Sequence, residues 1–163
     1  MREIINAVVI DNEPDDILGV STALALKGIS TIPVHYKAAA DAFKACEGAA
    51  QGAPRIIITD IQMREGGATP SKTDLGNVTQ CLAKIVSNLS GPYVILAWTS
   101  IPAHFATMKE YVENYFTRKN IALPIYFDHI CKNECRPDGE SYCADTIFTK
   151  FNAHMGNHKQ IQA

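Results

Sequence analysis

The sequence predicts a doubly wound α/β fold: one five-stranded parallel sheet with helices on both faces, a three-layer α/β/α arrangement. Three observations predict it. The short runs Ala7-Val8-Val9-Ile10, Ile56-Ile57-Ile58-Thr59 and Tyr93 to Trp98 are apolar almost throughout. Strands covered on both faces read this way, as in parallel sheets, whereas half-solvated strands alternate. Helix-periodic stretches separate these runs, and such alternation calls for right-handed crossovers between parallel strands. Finally, the runs end in polar residues: Asp11, Asp60, Thr99 and, after Pro124 to Phe127 and Ile130-Cys131, Lys132.

The elements follow in order. Asp11 closes the first strand, and Ile17, Leu18, Val20, Ala23, Leu24 and Leu26 recur at helical spacing up to Gly28, a C-terminal stop. Thr31 to Tyr36 reads as a short second strand. Ala38 to Ala49 is alanine-rich and reads as a helix ending near Gly48 and Gly52. Pro54 opens the third strand, which Asp60 closes. The stretch Arg64 to Thr73 holds paired glycines, a proline and small hydroxyl residues, so it is expected to be an irregular loop: a lid, a partner-binding loop or a surface insertion. Its Pro70-Ser71-Lys72-Thr73 lacks the glycine frame of a phosphate-binding loop. Val78, Leu82, Ile85, Val86 and Leu89 outline a third helix, stopped by Gly91-Pro92. The fourth strand follows, and Phe105, Met108, Tyr111, Val112, Tyr115 and Phe116 mark a longer fourth helix. The fifth strand, a polar Cys-bearing loop and a last helix over about Tyr142 to His154 complete a (βα)₅ order. One domain is expected over 1–155, with a polar tail over 156–163.

A length of 163 residues with 47% hydrophobic and 20% charged residues suits a single globular domain with a sizeable core. The net charge of −2 offers no basic footprint, which argues against direct nucleic-acid binding. No apolar run approaches the roughly 20 residues that span a bilayer, and the N-terminus has no secretory pattern, so a cytoplasmic location is expected. The five cysteines do not suggest a disulfide framework. Cys46 and Cys81 sit in helical patterns and read as small core residues. His129, Cys131, Cys135 and Cys143 are zinc-type donors in one span, but they lack a tidy paired spacing. Zn²⁺ at Cys131, Cys135 and Cys143 is therefore not expected.

In an open α/β sheet the ligand site lies outside the carboxyl ends of the strands. Asp11, Asp60, Thr99 and Lys132 would gather there: two acids, a hydroxyl and an amine, a set suited to a divalent cation and a phosphoryl group. Taken singly, each has a plainer reading. Asp60 can close a strand and start a turn, and Asp11 can cap the first helix, where Asp15 and Asp16 favour the dipole. Thr99-Ser100 can open a helix, and Lys132 can be solvated. Their joint occurrence points to a site.

With Asp11-Asn12-Glu13-Pro14 after the first strand, Asp60-Ile61-Gln62-Met63 after the third, Thr99-Ser100 after the fourth and Lys132 after the fifth, the chain resembles the receiver domains of response regulators, which have a flavodoxin-like fold. The resemblance implies that Asp60 accepts a phosphoryl group from a histidine kinase or phosphotransfer protein. It implies Mg²⁺ held by Asp11, Asn12 or Glu13, Asp60 and the backbone carbonyl of Gln62, with Lys132 on the phosphoryl oxygens. Thr99 and His129 occupy the switch positions. Three departures stand out. Asn12 replaces a second acid and weakens the expected Mg²⁺ affinity. Asn133 stands where the family usually has proline, and His129 replaces the usual switch aromatic. The expected chemistry is at most Mg²⁺-dependent self-phosphorylation and autodephosphorylation, with output through a downstream partner or self-association. Tyr111, Tyr115 and Phe116 could supply that surface, or pack in the core. The alternative is a pseudo-receiver, a phosphorylation-independent interaction module. A small hydrolase using Asp60 as nucleophile would want an acid where Gln62 stands.

Overall fold

The computed structural model describes residues 6–11, 13–35, 39–61, 71–87, 89–99, 102–130 and 149. Strands β1 (Asn6–Asp11), β2 (Ser30–His35), β3 (Ile56–Asp60), β4 (Val94–Trp98) and β5 (Tyr126–Ile130) form one sheet in the order β2-β1-β3-β4-β5. All four pairings are parallel. Helices α1 (Pro14–Ala25), α2 (Ala39–Ala50), α3 (Lys72–Val86) and α4 (Pro102–Arg118) fill the crossovers. This is the predicted α/β class with its doubly wound order.

Side-chain alternation along each strand divides the core in two. Val8, Ile10, Ile57 and Ile95 pack with Cys46 of α2, Val78 and Leu82 of α3, and Met108, Val112 and Phe116 of α4. On the other face Ala7, Val9, Ile56, Ile58 and Leu96 pack with Ile17, Val20 and Leu24 of α1. The central strands are apolar on both faces because both are covered, and each large aliphatic side chain so buried contributes about 1.5–3 kcal/mol. Cys46 and Cys81 are free thiols buried in the first of these clusters, as expected. A hydrogen bond to Cys46, together with burial, pushes the Cys81 thiol far up.

Several boundaries differ from the sequence reading, each for a local reason. α3 begins at Lys72, so the end of the expected loop is helical. Ser71 is its N-cap, accepting from the Asp74 N–H at 3.1 Å while Asp74 accepts from the Ser71 N–H at 2.9 Å. This reciprocal capping box was present in the sequence as Ser71-x-x-Asp74, hidden by the glycines and proline before it. β5 runs from Tyr126 to Ile130, later than Pro124 to Phe127. Asp128 and His129 are poor strand formers by propensity, but the β4 ladder pairs them with Leu96 and Ala97. Phe116 is fully buried in the α4 stripe and so cannot serve as a partner surface, whereas Tyr111 and Tyr115 are half-buried beside it.

α1 and α4 both close with paired turn hydrogen bonds that need a left-handed residue. In α1, Ile29 N–H bonds to Leu24 and Gly28 N–H to Ala25, with Gly28 at φ 78°. In α4, Ile121 N–H bonds to Phe116 and Asn120 N–H to Thr117, with Asn120 at φ 56°. Among the described residues no helix is long and apolar enough to cross a membrane. The predicted last helix, apart from residue 149, the tail over 156–163 and the cysteine loop lie outside the described residues.

Candidate functional site

The crossovers leave β1 and β3 toward opposite edges of the sheet, so the order reverses between these neighbours, and ligands of open α/β sheets bind at such a point. Ile10 pairs with Thr59, which brings the next residues, Asp11 and Asp60, level at the carboxyl ends of β1 and β3. Alternation places both on the α1 face, in line with Val9 and Ile58. Asp11 is fully buried and Asp60 half-buried.

Turn hydrogen bonds set both carboxylates. Glu13 N–H donates to Asp11 Oδ1 at 3.0 Å, and Ile61 N–H donates to Asp60 Oδ1 at 2.8 Å. The buried Thr59 hydroxyl donates to the Asp60 carbonyl at 2.8 Å, fixing the peptide that carries the acid. Asp11 is thus not the N-cap of α1. That position belongs to Glu13, whose side chain makes no capping bond, and Pro14 follows as the first helical residue. Asp15 and Asp16 lie in the first turn, favourable to the helix dipole as expected.

Thr99 sits just past β4, half-buried, its N–H donating to Ile130 at 3.0 Å. Asp60 pairs with Trp98, so Thr99 is one residue beyond the level of the acid. His129 lies on β5 away from this row. Its ring is tilted against Phe105 of α4 at 5.1 Å between centroids, and its Nδ1 is 3.2 Å from Asp128 Oδ1. Asp128 Oδ2 in turn accepts from the Tyr126 hydroxyl at 2.5 Å. The structure therefore brings Asp11, Asp60 and Thr99 to one edge, with Glu13 adjacent. Asn12, Gln62 and Lys132 fall outside the described residues, as do Cys131, Cys135 and Cys143.

Among the described residues no three His, Cys, Asp or Glu side chains cluster as metal donors. Mg²⁺ does not need such a cluster, because it is commonly held by one or two carboxylates and keeps several waters. Asp11 and Asp60 supply carboxylate oxygens, the hard donors that Mg²⁺ takes. The donor chemistry at Asp11 and Asp60 fits the ion.

Two neighbours of the acids were not singled out from the sequence. His35, exposed at the end of β2, pairs with Asp11. Trp98, the chain's single tryptophan, is buried and pairs with Asp60. Both end their strands, but only strand pairing could align them with the acids.

No protein-family model matches the chain, and no curated protein matches it. Solved structures do. The signal receiver domain of a modulated diguanylate cyclase from Desulfovibrio desulfuricans G20 is 14% identical with a TM-score of 0.56, covering 95% of this chain and 96% of that one. NtrX from Brucella abortus, in complex with ADP, is 17% identical with a TM-score of 0.57, covering 95% of this chain but 28% of that one. A pilus assembly-related protein of Burkholderia pseudomallei K96243 is 12% identical with a TM-score of 0.56, covering 99% of this chain and 97% of that one. The chain has a divergent receiver-like fold.

Proposed function

We propose that this chain is a signal receiver that accepts a phosphoryl group on Asp60 from a histidine kinase or phosphotransfer protein and changes its protein partners in response. The observation that carries the reading is the alignment of Asp11 and Asp60 at the β1/β3 reversal, with Thr99 at the end of the next strand. Asp60 is the acceptor, its carboxylate oriented by the Ile61 N–H. Asp11, with Glu13, Asn12 and the Gln62 carbonyl nearby in sequence, would hold Mg²⁺, which supplies charge neutralisation at the phosphoryl oxygens. Lys132 would add a point charge to the same oxygens, and the Thr99 hydroxyl would donate to them. The protein moves a phosphoryl group onto and off its own side chain and turns over no external substrate.

A pseudo-receiver is the second reading. Asn12 in place of an acid favours it, as a neutral amide contributes less to cation binding than a carboxylate. Trp98 beside Asp60 provides the means of deciding. On titration with Mg²⁺, the intrinsic fluorescence of the wild type is expected to change saturably, with affinity falling about tenfold or more in Asp11→Asn. A phosphodonor should then produce a further change that is lost in Asp60→Asn. Fluorescence indifferent to both additions supports the pseudo-receiver.

A further inference from the structure

Helix α4 carries a polar flank that phosphoryl chemistry does not use. Its inward stripe is Phe105, Met108, Val112 and Phe116. At helical spacing Tyr111, Tyr115 and Arg118 share one flank beside that stripe. A Cβ built on Gly76 of α3 would stand 3.5 Å from the Tyr111 hydroxyl, so this flank faces α3 rather than β5. Tyr111, Asn114, Thr117 and Arg118 line a surface cavity of about 510 Å³, within the size range of ligand sites. Each of these side chains offers a hydrogen-bond donor, and the Arg118 guanidinium offers the fork that matches a carboxylate.

The cations there are Arg118 and Lys119, at the carboxyl-terminal end of the cavity. Arg118 and Lys119 each lie 5.9 Å from the centroid of the Tyr115 ring, one cation by its guanidinium carbon and the other by Nζ. Both are exposed, and no carboxylate among the described residues forms a salt bridge with either. Glu110, one turn before Asn114, and Glu113, one turn before Thr117, lie toward the amino-terminal end of the cavity, so its positive charge is confined to the Arg118 end. The single acid of α3, Asp74, is buried in the Ser71 capping box. Tyrosine and arginine, moreover, are the residues that most often anchor protein interfaces.

We propose that the α3-facing flank of α4 docks an acidic segment of a partner protein, with one carboxylate of the segment forked by Arg118 in the cavity and a second near Lys119. The donors run from Tyr111 to Arg118, about 10 Å along the helix, which suits an extended segment rather than one small anion. The proposal stands whether or not Asp60 accepts a phosphoryl group.

A hexaglutamate peptide titrated into the full ¹⁵N-labelled chain tests it. The expected result is saturable amide shifts concentrated over residues 111–119, with affinity reduced about tenfold or more in Arg118→Gln and unchanged in Lys84→Gln, which removes a cation on α3. Equimolar inorganic phosphate should not displace the peptide. Shifts that are absent or lie elsewhere, equal weakening in both variants, or displacement by phosphate would each overturn the proposal, the last by assigning the cavity to small anions.

Discussion

The two edges of the sheet are built differently. At the amino edge, side chains at strand entries reach across to the backbone of neighbouring loops. The Asn6 amide donates to the Gly52 carbonyl at 2.6 Å. The Arg55 guanidinium donates to the Pro92 and Ser90 carbonyls, each at 2.9 Å, and the Tyr93 hydroxyl donates to the Ala122 carbonyl. Backbone bonds repeat the pattern, with Arg55 N–H to Asn6 and Val94 N–H to Arg55. Strand is thereby tied to strand. At the carboxyl edge the turn bonds of Asp11 and Asp60 span one or two residues, from Glu13 N–H, Ile61 N–H and the Thr59 hydroxyl. These bonds are local to each turn, while the Thr99 N–H to Ile130 bond joins β4 to β5 at the same edge. At one edge side chains tie strand entries to distant loops, and at the other short turn bonds orient the carboxylates of Asp11 and Asp60.

Breaking the amino edge should cost stability without touching the chemistry. Arg55→Ala removes two charge-assisted hydrogen bonds and leaves two carbonyls to find other partners, so a loss of about 2–3 kcal/mol is expected in urea unfolding. Whatever phosphoryl acceptance the wild type has at Asp60 should persist in that variant under folding conditions. A smaller loss is expected from Gly52→Ala. The added Cβ would stand 2.4 Å from Ile32 Cδ1, a side-chain end that can shift, so about 1–2 kcal/mol is expected from the same measurement.

The smallest effect is expected away from both edges. Lys84 and Glu47 join α3 to α2 at 2.8 Å on the exposed surface, where ion pairs count for little. Lys84→Met should leave the urea midpoint at neutral pH within error. The sign of its pH dependence is fixed. The Lys84 hydrogen bond and charge hold the Glu47 carboxyl below its usual range, so the pair's contribution is present above that range and fades as pH falls through the lowered value. Lys84 is raised mainly by the Glu47 hydrogen bond, so on the alkaline side the contribution fades only as pH rises through the raised lysine value.

The same contrast explains what could be read from the sequence. Apolar runs closed by polar residues revealed β1, β3 and β4 and the positions of Asp11, Asp60 and Thr99, because burial on both faces leaves a continuous apolar record. By contrast, β2 and β5 are partly exposed, and the bounds of β5 were misplaced. The amino-edge ties were not legible: Arg55 reaches residues more than 30 positions away, and only the fold brings them together. Asn120 taking a left-handed turn usually given to glycine, and Ser71 opening a helix inside an apparent loop, were overridden by composition. His35 and Trp98 beside the acids required the strand register. On the fourth helix, spacing alone could not separate Phe116, which faces the core, from Tyr115 on its shoulder.

Phosphoryl acceptance at the carboxyl edge is assigned to Asp60. Its most direct test is intact mass after incubation with Mg²⁺ and acetyl phosphate, wild type beside Asp60→Asn. A single phosphate-mass adduct is expected in the wild type, absent from the variant and abolished by a chelator. An adduct that persists in Asp60→Asn, or no adduct in a wild type that also leaves Trp98 fluorescence unmoved by Mg²⁺, would contradict it.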